Sequence, residues 1–214
     1  MKKAIYISSI FILFISISFA QKTSSESAEK AFNEANKKVK QQQYEKAIAL
    51  YTQAIEAKNT FKEAYKNRGR VFMVSREYEK AHDDFNKAIN IDSTDADLYS
   101  FRGFAKAEIA HSTNDSTFFS LALKDIKHAI KLNPNYDESY LNLGIVYMWL
   151  ENYEEALVSI NQAIKRNPTN GKAYYDRGVL YQKMEDMKNA CIDWQKAQSF
   201  DYPLVTKALL DSCN

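Results

Sequence analysis

A short pattern, an aromatic residue four positions before a glycine, occurs four times and constrains the fold of this chain more than any other feature. Its occurrences are Tyr65–Gly69, Tyr99–Gly103, Tyr140–Gly144 and Tyr174–Gly178. Successive glycines lie 34, 41 and 34 residues apart. A period of about 34 residues is typical of helix-turn-helix repeats, which bury their apolar faces by stacking on one another. The sequence therefore predicts an array of helical hairpins.

A second pattern occurs five times, once in the repeat that precedes the first glycine and once after each glycine, and predicts the second helix of each hairpin. An apolar residue and an alanine recur three residues apart: Tyr51 and Ala54, Phe85 and Ala88, Ile126 and Ala129, Ile160 and Ala163, Trp194 and Ala197. Another alanine stands four positions before each of these apolar residues. Spacings of four and three put all of these side chains on one stripe of a helix. We expect that stripe to be buried against neighbouring helices.

At these positions the sequence resembles the tetratricopeptide repeat (TPR) family, over about residues 28 to 204. The resemblance implies an all-α fold, a right-handed α-solenoid of about five helix-turn-helix repeats with a short C-terminal capping helix. Two features depart from the family pattern: repeat one has Ala35 where glycine is usual, and repeat three carries seven extra residues. The predicted segments are a signal peptide over 1–20, a polar linker over 21–27, repeats over 28–61, 62–95, 96–136, 137–170 and 171–204, and a capping helix over 205–214.

The extra residues of repeat three fall where the helical pattern lapses into turn formers, between His111 and Thr117. Two interpretations stay open. The extra residues form a longer loop, which costs little free energy on an exposed surface, or they form an added helical turn with a loop. In repeat arrays such insertions lie on one face, which is often a functional one.

The N-terminus has the pattern of a secretory signal peptide. Lys2 and Lys3 precede an apolar run from Ala4 to Phe19, and Ala20 completes a small-residue cleavage site. The alternative is an uncleaved anchor, but the run is short and serine-containing for a bilayer span of about 20 residues. We therefore predict cleavage after Ala20, export to a periplasmic or extracellular location, and no stable membrane span after signal removal.

The charge balance argues against a nucleic-acid partner. The chain has 29 basic and 27 acidic residues, and two of the basic ones, Lys2 and Lys3, lie in the predicted signal peptide. The remainder is neutral, whereas nucleic-acid binding proteins usually carry a marked basic excess.

The two cysteines, Cys191 and Cys213, both lie near the C-terminus. An even cysteine count in an exported protein favours a disulfide, which in the chain-entropy model would contribute roughly 3 kcal/mol for this spacing. Two buried free thiols are the alternative. The end of the chain also resembles the C-terminus of secreted bacterial TPR proteins.

The sequence contains no recognisable catalytic or metal-binding arrangement. His82, His111 and His128 each lack a second histidine or cysteine at metal-ligand spacing. We interpret His82-Asp83-Asp84 as a solvated helix face, because adjacent helical residues diverge around the axis. Four of the five glycines belong to the repeat pattern and the fifth, Gly171, lies alone in a predicted turn, so the chain has no glycine-rich phosphate-binding loop. We therefore predict that the protein is not an enzyme and takes no cofactor or metal.

The resemblance to TPR proteins also implies where a partner would bind, since the first helices of such arrays line a concave groove. The predicted groove residues are Lys66, Arg70, Met73, Phe101, Phe104, Leu141, Asn142, Ile145, Met148, Trp149, Tyr175 and Val179. This set is cationic at one end and apolar in the middle, which suits an amphipathic helix or an extended peptide. Alternatively, Phe101, Phe104, Leu141 and Ile145 pack against neighbouring first helices.

Two functions are consistent with these features. The first is a protein–protein interaction adaptor that binds a peptide or helix of a partner protein in the groove. The second is a structural spacer or self-associating module of an envelope assembly. Fold alone does not choose between them.

Overall fold

The computed structural model describes residues 24–211 and residue 213, so the predicted signal peptide lies outside the described residues. Within that part the structure contains eleven α-helices and no strand. The helices are α1 (24–40), α2 (Tyr44–Ala57), α3 (Lys62–Val74), α4 (Tyr78–Ile91), α5 (Ala96–Thr113), α6 (Ser116–Leu132), α7 (Asp137–Trp149), α8 (Tyr153–Arg166), α9 (Gly171–Lys183), α10 (Met187–Gln198) and α11 (Lys207–Asp211).

Consecutive helices pair as hairpins, α3 with α4, α5 with α6, α7 with α8 and α9 with α10, so the predicted all-α repeat fold is confirmed. The chain divides into two compact units, one up to Ser93 and one from Thr94. We call these the N-terminal body and the C-terminal body and describe each by itself. The sequence predicted one continuous stack and did not indicate this division.

The start of the N-terminal body differs from the prediction, because residues 24–27 belong to α1 rather than to a polar linker. The Ser24 hydroxyl donates a hydrogen bond to the carbonyl oxygen of Ala57, at the end of α2. Ala28, one turn later, is fully buried in a cluster with Ala54 and Phe61. These contacts stabilise the first turn of α1 in a segment whose polar composition had predicted a linker.

The repeated glycines allow the two helices of a hairpin to approach closely. A Cβ atom on Gly144 would lie 2.5 Å from Ile160 Cγ1, and one on Gly178 would lie 2.5 Å from Trp194 Nε1. Ile160 and Trp194 are completely buried. Each glycine therefore leaves the space that a large side chain of the second helix fills.

An Arg–Asp ion pair links the two helices in three of the hairpins. Each arginine immediately precedes the repeat glycine, and each aspartate precedes the buried apolar residue of the second helix. In all three pairs the Nε and Nη2 groups donate to the two carboxylate oxygens at 2.6–2.8 Å, a bidentate geometry; the pairs are Arg68–Asp84, Arg102–Asp125 and Arg177–Asp193. In repeat four the same two positions hold the buried residues Leu143 and Ser159.

One of these pairs corrects an expectation from the sequence. Asp84, which we interpreted as part of a solvated face, is 5% exposed and bound to Arg68, whereas its neighbour Asp83 is exposed. The helix turns Asp84 toward α3, where a carboxylate can be buried only because a guanidinium pairs with it.

The seven extra residues of repeat three form helix rather than a longer loop. Compared with α3 and α4, helix α5 is five residues longer and α6 three residues longer, while the turn between them is one residue shorter. Asn114 adopts a left-handed conformation after α5, and Asp115 caps α6 by accepting a hydrogen bond from the Thr117 amide. The hairpin is thus extended at its tip, and Gly103 still faces Ile126.

The C-terminal segment also differs in detail from the prediction. Helix α11 covers only Lys207–Asp211, and Pro203 and Leu204 lie in a turn before it. A disulfide joins Cys191 of α10 to Cys213, with a Cα–Cα distance of 5.6 Å. The predicted pairing is therefore present, and it fixes the end of the chain to the last hairpin.

Candidate partner-binding surfaces

Helices α5, α7 and α9, the first helices of the last three repeats, lie side by side, since α7 contacts both of the others. The predicted groove residues of the C-terminal body all belong to these helices. Four of them are partly exposed: Phe104, Trp149, Tyr175 and Val179. Phe104, Trp149 and Val179 pack against a buried apolar cluster that is centred on α7.

The other five predicted residues of this body are buried and do not form an accessible surface. They are 8% exposed or less: Phe101, Leu141, Asn142, Ile145 and Met148. Packing of α5 on α7 buries Asn142, whose amide donates to the buried Ser100 hydroxyl at 3.1 Å. Leu141, Ile145 and Met148 are instead buried in a cluster with residues of α8 and α9. The burial of Leu141 and Ile145 agrees with the alternative interpretation, since both lie in one buried cluster with Ala173 and Leu180 of the neighbouring first helix α9.

Three rings from α5 and α7 form what we call the aromatic shelf: Phe104, His111 and Trp149. The His111 ring stacks on Trp149 at 4.7 Å between centroids and 7° between planes. The Phe104 ring stacks on the same tryptophan at 5.8 Å and 18°. His111 is exposed, while Trp149 and Phe104 are partly exposed. Rigid aromatic groups that are partly exposed over an apolar core are typical of binding hot spots.

The sequence did not single out His111 as a groove residue, although a signal for it was present. Phe104, Ala107 and His111 are spaced by three and four residues, so they share one face of a helix. This inference requires α5 to continue through His111, whereas the sequence also allowed a loop there. The helical extension of repeat three is what brings this ring onto Trp149.

An acidic side chain lies near the α9 end of this surface. Asp176 Oδ2 accepts a hydrogen bond from Lys172 Nζ at 2.7 Å. Burial raises the pKa of Asp176, and the ammonium of Lys172 opposes that rise. Burial, the charge of Asp176 and the neighbouring Tyr175 raise the pKa of Tyr202 to about 12. The Tyr175 and Tyr202 rings pack at 5.2 Å, so the predicted groove residue Tyr175 is held by the chain segment after α10.

The N-terminal body has its own cleft between α1 and α3, with a volume of about 460 Å³. Asn36 lies in its lining, accepting hydrogen bonds from the Tyr51 hydroxyl at 2.6 Å and the Asn67 amide at 3.1 Å. Of the three groove residues predicted here, Arg70 lines this cleft and is exposed. Lys66 and Met73 are half-buried on α3 and are not part of the lining.

Comparison with known protein families agrees with the geometry of the hairpins. Three family models of the tetratricopeptide repeat match this chain, over residues 26–96, 138–170 and 160–192. The chain belongs to the tetratricopeptide repeat family. Repeat three, with its extended hairpin, lies between the matched ranges.

Solved TPR structures have the same fold. TTC0263, a TPR protein of Thermus thermophilus, superimposes with a TM-score of 0.78 at 19% identity, covering 87% of this chain and 98% of its own. YrrB, described as a TPR protein with an unusual peptide-binding site, superimposes with a TM-score of 0.56 at 25% identity, covering 91% of this chain and 95% of its own.

Sequence relatives match only part of this chain. The DnaJ homolog subfamily C member 7 homolog of Dictyostelium discoideum is 31% identical over 99 residues, which are 44% of this chain and 17% of the relative. Heat shock protein STI1 of Saccharomyces cerevisiae is 31% identical over 93 residues, which are 43% of this chain and 15% of the relative. The chain thus spans less than a fifth of either protein.

Membership of the TPR family indicates the general role of this protein class. TPR proteins generally mediate protein–protein interactions, and the scaffold is generally non-catalytic. No group of three or more histidine, cysteine, aspartate or glutamate residues arranged to hold a metal ion occurs among the described residues. None of the helices described is long and apolar enough to cross a membrane.

Proposed function

We propose that this TPR protein is an adaptor that binds a peptide or an amphipathic helix of a partner protein on the face formed by α5, α7 and α9. The observation that carries the proposal is the aromatic shelf, three stacked rings that stay partly or fully exposed although their helices are packed together. Apolar side chains of a partner could cover these rings and thereby bury aromatic surface at little cost in side-chain entropy.

The groove is shorter in this proposal than in the sequence-based expectation. Its members are Phe104, His111, Trp149, Tyr175 and Val179. The buried residues Leu141 and Ile145 support the shelf from below and do not meet the partner. The peptide-binding site of YrrB, a TPR protein of similar fold, is consistent with this type of ligand.

A photocrosslinking experiment tests this function. A benzoylphenylalanine placed at His111 is expected to form adducts with the partner in the native host, because this position is exposed and belongs to the shelf. The same group at Val158, which is 63% exposed on α8, is the control and should form few adducts. Adducts at both positions alike, or at neither, would contradict the proposal.

The mass of the adduct also distinguishes the two candidate functions. An adduct of this chain with itself would favour the self-associating module instead of the adaptor. A Trp149→Ala variant should weaken binding of the partner roughly thirtyfold and so reduce the heterologous adduct at His111, since losing an aromatic hot spot commonly costs ~2 kcal/mol of binding free energy. Circular dichroism of the variant would verify that the helices remain folded.

We further propose that the protein is an exported bacterial TPR protein, periplasmic or extracellular in location. The pattern from Lys2 to Ala20 supports the proposal, and so does the disulfide between Cys191 and Cys213, since disulfides persist mainly in oxidising compartments. N-terminal sequencing of the native protein is expected to begin at Gln21. A sequence that begins at Met1 would refute cleavage.

A further inference from the structure

A cleft with basic walls lies between α5 and α6 in the C-terminal body, with a volume of about 630 Å³. Five cationic side chains line it: Arg102, Lys106, Lys124, Lys127 and Lys131. Tyr99 and His128 pack edge to face in it at 4.5 Å between ring centroids, and the 44% exposed Leu121 adds an apolar group. The cleft thus combines positive charge with aromatic and aliphatic surface.

The acidic residue in this lining does not neutralise the cleft. Asp125 accepts hydrogen bonds from Arg102 at 2.7 and 2.8 Å and from Lys106 at 2.8 Å, so two cations share one carboxylate. Burial alone would raise the pKa of Asp125, but these two cations together hold it below its ordinary value. This trio therefore keeps a net positive charge, and the lysines at 124, 127 and 131 are exposed and add to it.

Two lysines of this lining, Lys106 and Lys124, have no basic counterpart in repeats two, four and five. Where α5 has Lys106, three residues after the repeat glycine, repeats two, four and five have Phe72, Tyr147 and Tyr181, while repeat one has Lys38. In repeats two and five this ring lies beside the arginine of the Arg–Asp pair, at 5.8 and 5.9 Å. The lysine of repeat three instead reaches Asp125, so a charged group replaces a ring that would fill space here.

Helix α6, the second helix of this repeat, also has a lysine where the other repeats have none. At the position of Lys124 the other repeats have Ala49, Asp83, Val158 and Ile192. The charge is therefore concentrated on one hairpin, the same one that is extended at its tip. General solubility would not require such a concentration, because the chain as a whole is nearly balanced, with 29 basic and 27 acidic residues.

We propose that this cleft binds an acidic segment of a partner protein. Carboxylates of the segment would pair with Lys124 and Lys131, and an apolar side chain would rest against Tyr99 and Leu121. A nucleic acid fits less well, because it carries one charge per ~1.7 Å along the duplex and usually meets a longer basic surface. The cleft is separate from the aromatic shelf in its residues, so the two sites can be tested independently.

Fluorescence anisotropy with a labelled Glu-rich peptide containing one leucine tests the proposal on the mature chain. The peptide should bind at low salt and weaken as salt rises, since these are exposed charges. A Lys124→Glu, Lys131→Glu double variant should bind it roughly tenfold more weakly or worse, because attraction becomes repulsion at two places. The Trp149→Ala variant should bind it as the wild type does.

The matched control is a Lys165→Glu, Lys183→Glu double variant, which makes the same change of charge at exposed positions of α8 and α9. It should retain most of the affinity. Equal loss in both double variants would overturn the proposal, as would equal binding of a peptide with glutamine in place of glutamate. Binding of a single-stranded oligonucleotide or of vesicles with anionic phospholipid, without binding of the peptide, would overturn it as well.

Discussion

Replacing Arg177 with leucine is expected to lower the free energy of unfolding of the last hairpin by about 3–5 kcal/mol. Arg177 binds both carboxylate oxygens of Asp193 at 2.6 and 2.7 Å, and Asp193 is only 3% exposed. The variant would leave that carboxylate buried without its cation, a state that costs far more than the intact pair contributes. Arg177 also donates to Asn161 of α8 at 2.6 Å, so contact with the preceding repeat would weaken too.

The matched control copies what repeat four already contains. A double variant, Arg177→Leu with Asp193→Ser, reproduces the Leu143 and Ser159 combination, in which the serine hydroxyl donates to the Glu155 carbonyl at 2.7 Å. We expect the double variant to recover most of the loss, because replacing a buried ion pair by well-packed neutral groups is often nearly neutral. Urea unfolding followed by tryptophan fluorescence measures the stability of the single and the double variant. Equal destabilisation by the single and double variants would show that the buried charge is not the cause.

A Gly178→Ala variant is expected to destabilise the same hairpin by roughly 2–3 kcal/mol, although alanine is the better helix former by about 1 kcal/mol. The new Cβ would lie 2.5 Å from Trp194 Nε1 and 2.6 Å from its Cδ1, with the Ala190 carbonyl oxygen at 3.1 Å. Trp194 is completely buried. Relief therefore requires the two helices to separate, because the ring has no open space to enter.

The control for this prediction is Gln182→Ala, an exposed position on the same helix. It should leave the stability unchanged or slightly raised. Thermal and urea unfolding monitored by circular dichroism would give the difference, and a Gly178→Ala protein as stable as Gln182→Ala would disprove the close-approach argument. Repeat one carries Ala35 at the equivalent position, packed in a cluster with Tyr51, so the requirement for glycine depends on the partner side chain.

The Arg–Asp pairs could have been found from the sequence by aligning the repeats. Arg68, Arg102 and Arg177 each precede a repeat glycine, and an aspartate precedes each facing apolar residue. Helical periodicity places these positions next to the buried stripe but does not decide whether they are buried. Burial depends on the position of the neighbouring helix, which spacing along one helix does not reveal. For this reason we expected the Asp84 side chain to be exposed to solvent.

The turns within the repeats were also beyond the reach of sequence patterns. The turn of each hairpin contains one residue with positive φ, between 56° and 63°. These residues are Gln42, Arg76, Asn114, Glu151 and Glu185. A left-handed residue after a helix is usually glycine and sometimes asparagine. Of these five residues only Asn114 therefore belongs to a type that favours the conformation. Packing of the two helices imposes the conformation on side chains that do not prefer it.

Residue spacing along the chain was enough to predict the helical hairpins and their stacking, because spacing decides which side chains share a helix face, and the even number of cysteines favoured the pairing of Cys191 with Cys213. Spacing left open which predicted groove residues remain exposed, because this depends on the neighbouring helices: Leu141 and Ile145 lie on the same face of α7 as the partly exposed Trp149 yet are buried. It also left open whether repeat three lengthens its helices, which is what brings His111 onto Trp149. Periodicity specifies the direction of a side chain, whereas the distance to the next helix specifies whether water reaches it.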